Sequence, residues 1–216
     1  MSATTRRGAL ARLGRLLIAA VAVGAALADY GRRGRALAAT AIRPPGALPE
    51  PKFLAACVRC GLCVRDCPYD TLRLAEMGEP VPVGTPFFLA RDIPCEMCED
   101  IPCVKACPTG ALDPALTDIK AADMGLAVFV GVDRCYSFNG IGACRACFIA
   151  CPVKGEAITM ELLVKDGRSV FLPTVHAEAC TGCGKCEKDC ITEEASIKVL
   201  PRRLAQTDTG LAGRYG

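Results

Sequence analysis

Cys57-Val58-Arg59-Cys60-Gly61-Leu62-Cys63-Val64-Arg65-Asp66-Cys67-Pro68 is the stretch from which the fold of this chain follows. Four cysteines are separated by two, two and three residues, and a proline comes directly after the last. Three variants lie downstream: Cys95, Cys98, Cys103 and Cys107 before Pro108; Cys135, Cys144, Cys147 and Cys151 before Pro152; and Cys180, Cys183, Cys186 and Cys190. Together they use all 16 cysteines of the 216-residue chain. The first run matches the bacterial spacing that ligates 4Fe–4S clusters, and the others are variants of it.

The spacing suits a cubane for a mechanical reason. Several thiolates must reach one small inorganic object, and two intervening residues let a short turn wrap it with backbone N–H groups pointing inward. The fourth cysteine of such a run normally ligates the other cluster of a pair. The following proline, with fixed φ and no N–H, turns the chain out of the motif. Zinc knuckles stand farther apart, usually by about 15–20 residues. Disulfides within runs this tight would close almost no loop and so stabilise little. A cluster that works on substrate usually leaves one iron without a protein ligand, whereas four sets of four consume every cysteine. Electron transfer is the reading that remains.

The first 38 residues have a different character. Arg6-Arg7 lies in Thr5-Arg6-Arg7-Gly8-Ala9-Leu10, a phrase like a twin-arginine export signal, although Ala9 stands where phenylalanine is preferred. Leu16 to Ala28 is an apolar run of 13 residues, the length of a signal core and short of the roughly 20 that span a bilayer. Ala36-Leu37-Ala38 offers a cleavage site, with Ala26-Leu27-Ala28 as an earlier one; an uncleaved membrane anchor is the competing possibility. Removing residues 1–38, with seven arginines and one acid, turns the formal charge from +3 to −3. The basic character thus belongs to the leader, and nucleic-acid binding has no support. Clusters are assembled in the cytoplasm, so a cluster protein bound for the periplasm needs the route that carries folded cargo.

The expected organisation is a signal peptide at 1–38, a proline-rich linker at 39–52, the cysteine-rich domain at 53–200 and a tail at 201–216. Strand-like runs precede motifs two, three and four at Phe87–Ala90, Ala127–Val130 and Val170–Leu172. Short apolar stretches follow all four, at Thr71–Leu74, Gly110–Leu112, Ala157–Met160 and Ser196–Val199. This pattern predicts an α+β, ferredoxin-like fold of tandem units, with short strands and helical turns around four clusters. The hydrophobic content of 51% counts the cysteines, and aromatics are only 5%, so the clusters themselves would fill the interior. The metal-free chain should be largely unfolded.

Residues 54–76, 85–112 and 172–204 resemble the NapG/MauM family of ferredoxin-type proteins, over most of the chain from Arg43 to Leu204. The resemblance implies export by the twin-arginine route and four 4Fe–4S clusters. It also implies a membrane quinol-oxidising partner of the NapH kind that supplies electrons for a periplasmic nitrate reductase. A methylamine-utilisation role of the MauM kind, or maturation of a periplasmic redox enzyme, are alternatives. Departures lie in the third motif, around Ser137–Gly142 and Cys144-Arg145-Ala146-Cys147. By analogy with related four-cluster subunits, the first and fourth motifs would share two clusters and the second and third the other two. That places Cys57, Cys60, Cys63 and Cys190 on one cluster, and Cys180, Cys183, Cys186 and Cys67 on its partner. Cys95, Cys98, Cys103 and Cys151 hold the third, and Cys135, Cys144, Cys147 and Cys107 the fourth. Pairing of neighbouring motifs is the rival, and spacing does not choose.

His176, the only histidine, is read as a surface or supporting group. Cys190 lacks the following proline, and a continuing helical turn is expected there. Glu96, Glu99 and Asp100, and Lys185, Lys188, Arg202 and Arg203, are either solvated charge or docking faces. No Ser/His/Asp set and no glycine-rich phosphate loop appears, so no catalytic residue is expected.

Overall fold

The computed structural model describes residues 6–38, 41–79, 81–165 and 167–207. The linker's residues 39 and 40 and the tail's residues 208–216 lie outside the described residues. Helix α1 (Arg6–Ala38) covers the segment expected to be a leader, and its Leu16, Ile18 and Val21 are more than half exposed. No described helix is long and apolar enough to cross a membrane.

The rest is built twice on one plan. In each unit an outer pair of extended segments, one before the first motif and one after the second, closes around an inner antiparallel pair. In the second unit β3 (Leu126–Phe129) pairs with β6 (Ile197–Leu200), and β4 (Ile158–Lys165) with β5 (Arg168–Val175). In the first unit the inner pair is β1 (Arg73–Leu74) with β2 (Pro86–Phe87), and the outer pair has shrunk to a bridge from Ala47 to Leu112. The α+β expectation stands, and every apolar stretch predicted next to a motif lies in or beside a strand or bridge.

Each motif supplies one short helical turn: α3 (Leu62–Arg65), α4 (Pro102–Lys105), α5 (Ala146–Ala150) and α6 (Lys185–Lys188). Helix α2 (Glu50–Ala56) precedes the first motif and α7 (Arg202–Thr207) ends the described chain. A small interior cluster gathers Ala41, Ala75, Val81 and Phe87. In the main interior cluster Phe53, Phe88, Leu112, Ile158 and Ile197 pack with the cysteines. Burial of these side chains, each about 1.5–3 kcal/mol relative to exposure, holds the loops against one another.

Two sequence readings need correction. Residues 41–45, read as part of a linker, are buried. Ile42 bridges to Phe88, and Arg43 donates to both Glu50 carboxylate oxygens at 2.6 and 3.0 Å, to Thr85 Oγ1 and to the Pro86 carbonyl. The guanidinium also sits 4.8 Å from the Phe53 ring centre. The prolines keep the segment extended while this one side chain pins it, so α2 starts before the domain boundary placed at 53. At Cys190, the turn α6 ends at Lys188 and the chain leaves without further helix. The sulfur of Cys190 takes the Ser196 N–H at 3.3 Å, and Arg91 holds the Cys190 and Thr192 carbonyls, which bends the backbone where proline does so elsewhere.

Candidate metal centres

The motif loops owe their shape to left-handed residues at repeated places. Arg59, Met97 and Gly182 precede the second cysteine of motifs one, two and four with φ of 59°, 60° and 74°. Gly61, Ile101 and Gly184 cap the following turns at 75°, 43° and 89°. This alternation aims successive N–H groups to one side, as in an anion-binding nest. Glycine is required at 182 for a second reason: a Cβ there would lie 2.3 Å from the Gly125 nitrogen. The first two cysteines of motifs one, two and four thus sit on the loop, the third on the turn, and the fourth just past it.

The sixteen thiols converge in four quartets, each lining a cavity of about 20 Å³. Cys57, Cys60 and Cys63 meet Cys107; Cys95, Cys98 and Cys103 meet Cys67. Cys180, Cys183 and Cys186 meet Cys151; Cys135, Cys144 and Cys147 meet Cys190. The analogy that joined motif one with four and two with three is therefore wrong. Neighbouring motifs exchange their fourth cysteines, because the Ala47–Leu112 bridge and the β3–β6 pair close each unit around its own two motifs. All sixteen are free thiols.

The electrostatics fit a cationic cluster core. Burial pushes the Cys63 thiol up to about 11, aided by Cys57 and Cys107. Burial likewise carries Cys95, Cys103 and Cys147 up to about 12, with neighbouring sulfurs adding to it. Four thiols crowded around one cavity ionise together only if positive charge at the centre compensates them. Among the described residues, no three His, Cys, Asp or Glu side chains close on a single point as one metal ion requires. A tetrahedral zinc would draw its sulfurs to about 2.3 Å, whereas these quartets stand around a cavity. Bound 4Fe–4S clusters would supply one-electron redox chemistry here; the chain contributes the thiols, the inward N–H groups and the exclusion of water.

Two cysteines behave differently. At Cys107 burial raises the thiol, but the Leu112 and Thr109 N–H groups and the Thr109 hydroxyl outweigh it and bring it below its ordinary value. At Cys190 the Thr192 hydroxyl, 3.1 Å from sulfur, and nearby N–H groups do the same. Both threonines lie two residues past the fourth cysteine. That repeated spacing is legible in the sequence, although the reading from sequence passed over it.

The quartets neighbour one another in succession. Cys63 and Cys103 feel each other's charge within the first unit, Cys186 and Cys147 within the second, and Cys95 and Cys183 between the units. The last junction is tightly built: the Cys95 N–H donates to the Cys183 carbonyl at 2.8 Å, and Arg91 donates to the carbonyls of Glu187, Cys190 and Thr192. Lys185 pairs with Glu96, and Lys188 donates to the Asp92 carbonyl. Arg202 reaches Asp123 and the carbonyls of Ala177 and Cys180. These charges, candidates for docking faces, hold the protein's own parts together. His176 joins no quartet; its Nε2 is 2.8 Å from Thr159 Oγ1.

Residues 56–111 match the family described as a 4Fe-4S dicluster domain, the first unit. The methylamine utilization ferredoxin-type protein MauM of Methylorubrum extorquens is 58% identical over 88% of this chain and 84% of its own length. Its Paracoccus denitrificans counterpart is 51% identical over 97% and 91%. The ferredoxin-type protein NapG of Escherichia coli is 53% identical over 90% and 85%. No solved structure matches. With a dicluster domain matched in its first half and relatives of this identity along nearly its whole length, the chain belongs to the MauM/NapG family of ferredoxin-type iron–sulfur electron-transfer proteins.

Proposed function

We propose that the protein is a periplasmic electron carrier with four 4Fe–4S clusters in a row, one per cysteine quartet. It receives electrons from a membrane quinol-oxidising partner and passes them to a periplasmic redox enzyme. The observation that carries this reading is the convergence of all sixteen cysteines into four sets of four, with no thiol left for substrate chemistry. The protein's own work is to space the clusters, keep water away and set potentials through N–H and hydroxyl donors, within the roughly −700 to +450 mV that such clusters span.

The nitrate branch follows from the resemblance to NapG, and the methylamine branch is favoured by the names of the MauM relatives. Growth of a deletion strain on nitrate against growth on methylamine separates them. Export by the twin-arginine route rests on Arg6-Arg7 and the apolar run after it; replacing both arginines by lysine should leave the protein in the cytoplasm. Protein purified without oxygen should hold about 16 irons and as many sulfides, and show paramagnetic signals after reduction with dithionite. A yield of about 8 irons would leave a two-cluster protein and overturn the proposal.

A further inference from the structure

A cleft of about 510 Å³ opens in the second unit between β3 and β5, a volume in the range of ligand sites. Its long walls are two strand edges, lined continuously by 126–130 on one side and 172–178 on the other. The hydrogen-bond parity shows that these edges are open. The Val130 N–H donates to Ser196, so in the β3–β6 ladder the even-numbered β3 residues face β6, and Ala127 and Phe129 turn their backbone groups away from it. On β5 the His176 N–H donates to Ala157, which turns Val175 outward by the same alternation. Among the described residues no partner is found for the outward N–H groups of Phe129 and Val175.

Two strands with open edges on either side of one cleft form a receptor for a third strand. We infer that the cleft between β3 and β5 receives an extended, basic-flanked segment of a protein redox partner, which pairs with both edges and joins β6–β3 to β5–β4. The charge of the occupant follows from Glu161 and Glu178, which line the cleft and form no ion pair among the described residues. The Thr174 hydroxyl, shielded from solvent and without a hydrogen-bond partner, also lines it. The chain's own residues 208–216 are a poor candidate: three of the nine are glycine, which disfavours strand. Position gives the site its purpose. Phe129 and Pro173 line both the cleft and the quartet of Cys135, Cys144, Cys147 and Cys190. Ala127 lines both the cleft and the quartet of Cys151, Cys180, Cys183 and Cys186. A strand seated there lies one side chain away from two metal centres. This role as an electron port rests on the carrier function proposed above; the strand pairing does not.

The test uses the full, cluster-loaded protein and a blocked heptapeptide with lysine at each end and alternating valine and threonine between. Hydrogen exchange is read at single amides by mass spectrometry. In the free protein the Phe129 and Val175 amides should exchange about 100-fold faster than those of Val130 and His176, which are held in the ladders. Peptide should slow both open amides by about tenfold or more, and the double variant Glu161→Lys/Glu178→Lys should weaken peptide binding about tenfold. Open amides already protected in the free protein would show that its own chain or a second copy fills the cleft, and would overturn the inference. So would peptide that leaves both amides unchanged, or binds the double variant equally well. Binding is measured without electron transfer, so a shortfall of iron would remove the port role and leave the pairing result standing.

Discussion

Cys107 shows how much chemistry one residue carries here. It is the last cysteine of motif two in sequence, yet completes the quartet of Cys57, Cys60 and Cys63, and the Thr109 and Leu112 donors point at its sulfur. Exchange of fourth cysteines between neighbouring motifs makes a double-variant comparison decisive. Cys57→Ala and Cys107→Ala should each lower iron from about 16 to about 12, and the pair together should also leave about 12. Cys57→Ala with Cys190→Ala should leave about 8, since those residues serve different quartets. Pairing of motif one with motif four would reverse the two results. The thiols also set a pH dependence. Burial holds Cys63, Cys95, Cys103 and Cys147 in the metal-free fold above the ordinary 9.0, at about 11 to 12. A raised acid favours its protonated form, so the stability these four thiols contribute to the metal-free fold is complete below pH 9 and is lost as pH rises toward those values. The loaded protein runs the other way, because its sulfurs must remain thiolates. Iron release, followed by the loss of visible absorbance, should accelerate at least several-fold between pH 8 and pH 5.

At the scale of elements, the segment before α2 marks the boundary between what composition shows and what packing decides. Four prolines in 39–52 read as a spacer. In the fold the same stiffness presents Arg43, which is 6% exposed, to Glu50, Thr85, the Pro86 carbonyl and the Phe53 face. Arg43→Ala leaves the Glu50 carboxylate, the Thr85 hydroxyl and a carbonyl without this partner. It should destabilise the first unit by about 3 kcal/mol, read as the fall in melting temperature of the loaded protein. Arg43→Lys should recover only part of this, since an ammonium matches neither the paired carboxylate oxygens nor the ring face. The strands beside the motifs were legible because a β-branched or aromatic run next to a cysteine loop has few alternatives. The full extent of the β4–β5 hairpin, eight residues on each side, was not. Leu162, Leu163 and Val164 on β4 remain substantially exposed, so burial does not mark them as strand.

For the whole molecule, the decisive contact is between the two units. Arg91 leaves the first and spends its guanidinium on carbonyls of Glu187, Cys190 and Thr192 in the second, while Gly184 admits Ala90 so closely that a Cβ would stand 2.5 Å from it. Arg91→Ala should loosen the junction and split one calorimetric transition into two, with iron content unchanged; a single unshifted transition would show that the apolar contacts suffice alone. The sequence by itself determined that all sixteen cysteines fall into four motifs of four, and that short strands and turns surround them. These are local properties, since a cysteine and the turn presenting it lie within a few residues. Only the tertiary structure decided which fourth cysteine completes which quartet, which quartets neighbour one another, and that two strand edges are left open. Each of these depends on which distant strands pair, and that choice belongs to the packing of the whole chain and leaves no mark in the spacing.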